Sequence, residues 1–261
     1  MPHELAAQGP NTCAIAVMAK ASIPGKTKTR LSPPLTFDEA AGLNTAFLQD
    51  AADNLLAAAQ RASIAGYMAY APAGSLEFFR RIAPSAIGFI ESAAPDFGDC
   101  LFQTLSSLLA GGHGAACLLN SDSPTLPTDY LVRAAAALHE PGDRLVIGPS
   151  TDGGYYLIGV KRPHRRLFEH VDWSTDRVFR QTLERAAELD LKAVVLPTWY
   201  DVDDAEALRI LVGELIEGRR YRDEAAAATS ASATRRQLAD LLDGADLRSR
   251  LKLEPRRICP A

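Results

Sequence analysis

Short apolar runs alternate with amphipathic stretches from Cys13 to Ile216, and that alternation restricts the fold more than any other feature of the chain. Cys13–Ala19, Ile64–Tyr70, Ala86–Ile90, a run opening at Ala115, Leu145–Gly148, Tyr155–Val160 and Lys192–Leu196 have the length and apolar character of buried strands. Between them, Phe37–Arg61, Ser75–Ile82, Gly98–Leu109, Thr128–His139, Thr175–Asp190 and Asp204–Ile216 read as helices. Phe37–Arg61 sets Leu43, Phe47, Leu55 and Leu56 at helical spacing. Strand and helix in this rhythm predict a three-layer α/β fold. Its sheet is mixed but mostly parallel, its crossovers are right-handed and helices cover both faces.

Hydrophobic residues make up 47% of the 261, enough for a sizeable core in one large domain. A net charge of −4 lacks the basic footprint of a nucleic-acid partner. Cys13, Cys100, Cys117 and Cys259 lie far apart with no C-x-x-C pair. We expect reduced thiols, a cytosolic location and no zinc or disulfide framework. No run approaches 18 apolar residues, so no membrane span is expected, and Met1–Asn11 lacks the apolar segment of a signal peptide.

Residues 1–11 read as a loose tail and 12–219 as the folded domain. Residues 220–261 read as a helical tail: Ala225–Ala233 is alanine-, serine- and threonine-rich, and Gln237–Leu251 has the pattern of one more amphipathic helix. We expect a partly ordered appendage there, with docking on the domain or oligomer contacts as the alternative roles.

Polar residues gather where strands end. After the first strand, Lys20, Lys26, Lys28 and Arg30 fall within eleven residues beside Gly25, which suits phosphate oxygens. A solvated basic turn is the plainer reading, and no Walker A pattern fits. Asp122, in Asn120-Ser-Asp-Ser-Pro124, follows the fourth strand, at the edge where open α/β sheets bind ligands. Alone it reads as a turn cap; with phosphates nearby it reads as a ligand for a hard cation. Asp152-Gly153-Gly154 joins two apolar runs, as a hairpin turn or as backbone brought close to a ligand. Asp201 or Asp203 offers a second carboxylate, and Asp204 a helix cap. Trp173 and Trp199 suit a cleft or the core equally. The five histidines are scattered without ligand spacing and read as surface residues, His113 within a turn. No G-x-S-x-G or G-x-G-x-x-G is present, against hydrolase and dinucleotide-binding folds.

Lys20-x-x-x-Pro-Gly-x-x-Lys-Thr-Arg-Leu31, x-x-Asp122-Ser-Pro-x-Leu-Pro127, Gly148-Pro-x-x-Asp-Gly-Gly-Tyr-x-Leu-Ile-Gly159, Trp173-Ser-Thr and Asp201-Val-Asp203 occur in that order. Over about residues 12–212 this resembles the DUF2064 family, also described as transferase 1 associated with radical-SAM/selenodomain proteins. Some members carry the label of glycosyltransferases of arsenosugar biosynthesis. The Lys-Thr-Arg-Leu loop is also similar to that of phospholactate guanylyltransferases. The resemblance implies the GT-A fold of nucleotide-diphospho-sugar transferases. It implies a nucleotide phosphate site at Lys20, Gly25, Lys28 and Arg30, and Mg²⁺ or Mn²⁺ on Asp122 and Asp203. Asp152, Gly153 and Gly154 would face an acceptor, with Asp152 as base; Asp96 and Gly98 match a further nucleotide-site segment. Two departures stand out: Asn120 replaces a glycine usual in the family, and Pro95-Asp-Phe-Gly-Asp-Cys100 lacks the family's arginine.

The reading expected is therefore a metal-dependent transferase with a nucleotide or nucleotide-sugar donor and a small-molecule acceptor, foremost a glycosyltransferase. A nucleotidyltransferase releasing pyrophosphate is the alternative, and a non-catalytic nucleotide-binding protein the third reading.

Overall fold

A computed structural model describes residues 9–92, 94–221, 226–244 and 246–253. Cys259 and residues 1–8 of the expected N-terminal tail lie outside the described residues. Seven strands form one sheet: β1 (Cys13–Lys20), β2 (Ile64–Ala71), β3 (Gly88–Glu91), β4 (Ala115–Leu119), β5 (Arg144–Pro149), β6 (Tyr155–Val160) and β7 (Lys192–Val195). Their order is β3-β2-β1-β4-β6-β5-β7. β6 alone runs against its neighbours β4 and β5; the other pairings are parallel. The expected mixed, mostly parallel sheet is thus present. β1 sits between β2 and β4, so the strand order reverses there and leaves a crevice at the carboxyl ends of β1 and β4.

The β1 side chains explain the layers. Cys13, Ile15 and Val17 face one side; Ala14 and Ala16 face the other, with no room left exposed on either. The first side is covered by α1 (Phe37–Ala59), α2 (Leu76–Ile82), α4 (Thr128–His139) and α6 (Ala205–Glu217). α3 (Phe97–Ala110) and α5 (Val178–Glu188) cover the second. α1 begins with a capping box, in which Thr36 Oγ1 accepts from the Glu39 N–H and Glu39 Oε2 from the Thr36 N–H.

Within the expected C-terminal tail, α7 (Ser232–Gly244) and α8 (Leu247–Arg250) belong to the core. Leu238, Leu247 and Leu251 are fully buried in the α1 layer. Asp50 of α1, itself buried, accepts from the N–H groups of Ala233 and Thr234 at 2.9 and 2.7 Å and so caps α7 from outside. Arg250 donates to both carboxylate oxygens of Glu39 at 2.8 Å and to the Pro34 carbonyl at 2.6 Å. The described helices of the segment read as an appendage therefore pack into the α1-side core. Their apolar positions, more than their alanine-rich approach, decide where they go.

His113 departs from the expected surface position. It is 4% exposed, its Nε2 lies 2.9 Å from the Tyr67 hydroxyl, and burial lowers its imidazole pKa. Its partner is 46 residues distant in the chain. Trp199 is buried, whereas Trp173 lines a cleft.

Candidate functional site

The segment leaving β1 is tied down by its own polar side chains. Thr27 Oγ1 donates to the Ala21 carbonyl and accepts from the Ile23 N–H. Asn44, buried on α1, donates to the Lys20 carbonyl and to Ser22 Oγ. Gly25 turns the loop at φ 74°. Lys28 takes left-handed dihedrals, φ 52° and ψ 39°, at a cost of about 1 kcal/mol for a residue with a side chain. The cost is met by what the side chain then reaches.

The Lys28 ammonium lies 2.8 Å from Asp122 Oδ1, 3.0 Å from Asp203 Oδ1 and 2.7 Å from the Val202 carbonyl, with its side chain 5% exposed. Burial works to lower its pKa, but the two carboxylates outweigh that and raise it. Lys28 is thus an internal cation joining the end of β4 to the segment after β7. The expected direct phosphate role is changed in kind: its three donors already have acceptors. Arg30 is the contrasting cation, 72% exposed with Nη1 4.0 Å from Asp203 Oδ2.

Two recesses meet at this ion-paired ridge. One, of about 270 Å³, is lined by Lys20, Lys26, Lys28 and Arg30 with Asn44 and Ser121. The other, of about 510 Å³, is lined by Asp122, Asp152, Asp176, Asp201 and Asp203, with Arg30 its one cation among the described residues. Arg30, Asp122 and Asp203 border both. The 150–154 turn makes one wall. β5 and β6 do form an antiparallel hairpin, and Asp152 Oδ1 accepts from the Gly154 N–H at 2.8 Å. Gly153 sits at φ 91°. A Cβ there would fall 2.3 Å from the Asp176 carbonyl oxygen, so both its conformation and its space exclude a side chain. Gly153 supports the wall, while Asp152 and Gly154 line it.

Asp201 also faces this recess. Burial pushes its carboxyl up to about 7, and Asp152, Asp203 and Asp122 add to the shift. Sequence spacing raised Asp201 only as an alternative to Asp203; the physical signal, enclosure among like charges, exists only in the fold. Asp96 and Gly98 stand apart. Asp96 Oδ1 caps α3 through the Asp99 N–H, and a Cβ on Gly98 would approach the Phe168 carbonyl to 2.8 Å. Neither lines the two recesses; both border a separate one of about 370 Å³. Their neighbour Phe97 reaches the larger recess instead, packed edge-on to Trp173 with centroids 5.1 Å apart. Asn120, the departure beside Asp122, lines it too and donates to Ser123 Oγ at 3.2 Å.

The donor set suits a hard cation in one manner only. Among the described residues no group of three His, Cys, Asp or Glu side chains is poised around a metal position. Asp122 and Asp203 supply carboxylate oxygens, and each gives Oδ1 to Lys28. Mg²⁺ is commonly held by one or two carboxylates and completed by phosphates and water, so these residues fit an ion that arrives with a diphosphate. No described helix is long and apolar enough to cross a membrane.

Solved structures share this arrangement of strands. A protein from Desulfovibrio desulfuricans G20, provisionally named a nucleotide-diphospho-sugar transferase, matches with TM-score 0.74 and 25% identity, over 90% of this chain and 98% of that one. CMP:2-keto-3-deoxy-manno-octonic acid synthetase complexed with CTP matches with TM-score 0.50 and 12% identity, over 80% of this chain and all of that one. A cytidylyltransferase from Leptospira borgpetersenii serovar Hardjo-bovis matches with TM-score 0.50 and 10% identity, over 94% and 98%. The last two likenesses are of fold, and with the first they place the chain among GT-A and nucleotidyltransferase-like α/β folds. No curated protein matches the sequence. The family model that does match, over residues 42–175, is described as an uncharacterized protein conserved in bacteria; the chain belongs to this family, DUF2064.

Proposed function

We propose that this protein is a transferase that uses a nucleotide-activated donor, specifically a glycosyltransferase acting from a nucleotide diphospho-sugar. One observation carries the reading: a cationic recess and a carboxylate recess adjoin at the carboxyl ends of β1 and β4, sharing Arg30, Asp122 and Asp203. The provisional name of the Desulfovibrio protein supports it.

In this reading Lys20, Lys26 and Arg30 bind the donor diphosphate, and Arg30, exposed between the recesses, stabilises charge growing on the leaving group. Lys28 holds Asp122 and Asp203 in place. Those two carboxylates would hold Mg²⁺ or Mn²⁺, which when bound supplies Lewis-acid stabilisation to the departing diphosphate. Asp152, on the wall of the larger recess, takes the proton of an acceptor hydroxyl as its oxygen bonds to the sugar carbon and the nucleoside diphosphate departs.

The test is an assay of the full chain with nucleotide sugars and with nucleoside triphosphates, with and without Mg²⁺ or Mn²⁺. Metal-dependent release of nucleoside diphosphate from a nucleotide sugar is expected. Release of pyrophosphate from a triphosphate with an acceptor phosphate would make it a nucleotidyltransferase. Nucleotide-linked thermal stabilisation without turnover would make it a binding protein.

A further inference from the structure

We propose that the larger recess is an acceptor subsite for a small molecule bearing hydroxyl or amino groups and no anionic group; this rests on the nucleotide-donor reading above. The basis is the division of charge between two connected spaces. The cations of the 20–30 loop line the smaller recess, and only Arg30 extends to the larger one. Lys28 offsets Asp122 and Asp203. Asp152, Asp176 and Asp201 have no ion-pair partner among the described residues, and all three line the larger recess. A phosphate ester entering there meets three aspartates outside any ion pair, Asp201 with its carboxyl raised to about 7, against the single cation Arg30. Hydroxyl and ammonium groups meet acceptors of the right kind instead.

A second feature of the same recess points the same way. Its lining also includes apolar and aromatic side chains: Met18, Leu101, Phe97 and Trp173. Phe97 is 53% exposed, although it opens a helix that buries Leu101, Leu105 and Leu108. A large apolar side chain left open beside a cavity marks a surface that a ligand covers. Aromatic side chains and carboxylates lining one recess suit a compound with one apolar face and an edge of hydrogen-bond donors, and they also suit a cationic group. The recess, at about 510 Å³, is of the size that holds a small ligand.

Saturation-transfer NMR on the full chain with Mg²⁺ tests this. Each sample holds the tightest binder among ADP, CDP, GDP and UDP, with glucose, glucosamine or glucose 6-phosphate as matched probes. Glucose and glucosamine should bind at least tenfold more tightly than glucose 6-phosphate. Raising the salt to 0.5 M should narrow that ratio on the unaltered protein by screening. The Asp152→Asn, Asp176→Asn double variant should narrow it to below threefold. Glucose 6-phosphate binding as well as glucose, a ratio indifferent to salt, or no transfer to either uncharged or amino probe overturns the inference while leaving the nucleotide reading intact. Failure of all four nucleoside diphosphates to bind removes the nucleotide reading, and this inference with it.

Discussion

Lys28 is the residue whose role is least like its neighbours'. Three nearby cations face solvent or a recess, but its ammonium is enclosed by two carboxylates and a carbonyl. Lys28→Met should leave Asp122 unpaired beside Asp203, whose remaining cation is the exposed Arg30 at 4.0 Å. We expect a loss of about 3 kcal/mol in urea unfolding with EDTA present. Adding Mg²⁺ should restore more stability to this variant than to the unaltered protein, because a divalent ion supplies the missing positive charge. Equal Mg²⁺ effects on the two proteins would show that Lys28 and the ion do not share these ligands. None of this was legible in sequence. The loop's cations were plain, but which of them turns inward depends on Val202 and Asp203, 174 and 175 residues away. His113 was opaque for the same reason, since its Tyr67 partner comes from β2, 46 residues earlier in the chain.

At the scale of elements, the apolar runs gave away all seven strands, most plainly β1, β4 and β5, because a strand buried on both faces has little else it can be written in; the edge strands β3 and β7 are half-buried to exposed. The β5–β6 hairpin was legible through Asp-Gly-Gly, though its close approach to Asp176 was not. Gly153→Ala combines a disfavoured φ with a backbone clash and should cost more than about 1 kcal/mol, with loss of the 150–154 turn geometry. Thermal unfolding checks the first. Nuclear Overhauser contacts between residues 153 and 176 check the second. The C-terminal helices were harder to read, because a helix of modest bulk gives no sign of which surface it covers. α7 also borrows its cap from another helix. Asp50→Ala should cost about 1 to 2 kcal/mol and speed hydrogen exchange at Ala233 and Thr234 before it affects β1 amides. Unchanged exchange at those two positions would mean that the cap contributes nothing.

Across the whole molecule, Glu39 and Arg250 connect the start of α1 to α8 over 211 residues. Hydrogen bonds from Arg250 hold the Glu39 carboxyl below its ordinary value of 4.5, against partial burial. A depressed carboxylate contributes stability that is complete above the unfolded-state pKa and is lost as pH falls through the folded one. Glu39→Gln keeps a side chain able to serve the capping box while removing the charge. It should therefore destabilise by about 1 kcal/mol at pH 7, and the difference should close below about pH 4.5. A gap that does not narrow at all as the pH falls below 4.5 would place the effect in packing rather than in the ion pair.

The Arg250 contacts also carry a consequence for how the protein is made. Its bonds to Glu39 and to the Pro34 carbonyl fasten the segment into which the cationic loop runs. A chain emerging from the ribosome presents residues 20–36 long before residue 250, and domains fold as their parts become available. The loop's final fastening must then wait through more than two hundred further rounds of peptide-bond formation. A nascent chain halted after β7 would carry the loop without that restraint, and the loop's final anchorage would be acquired late in synthesis.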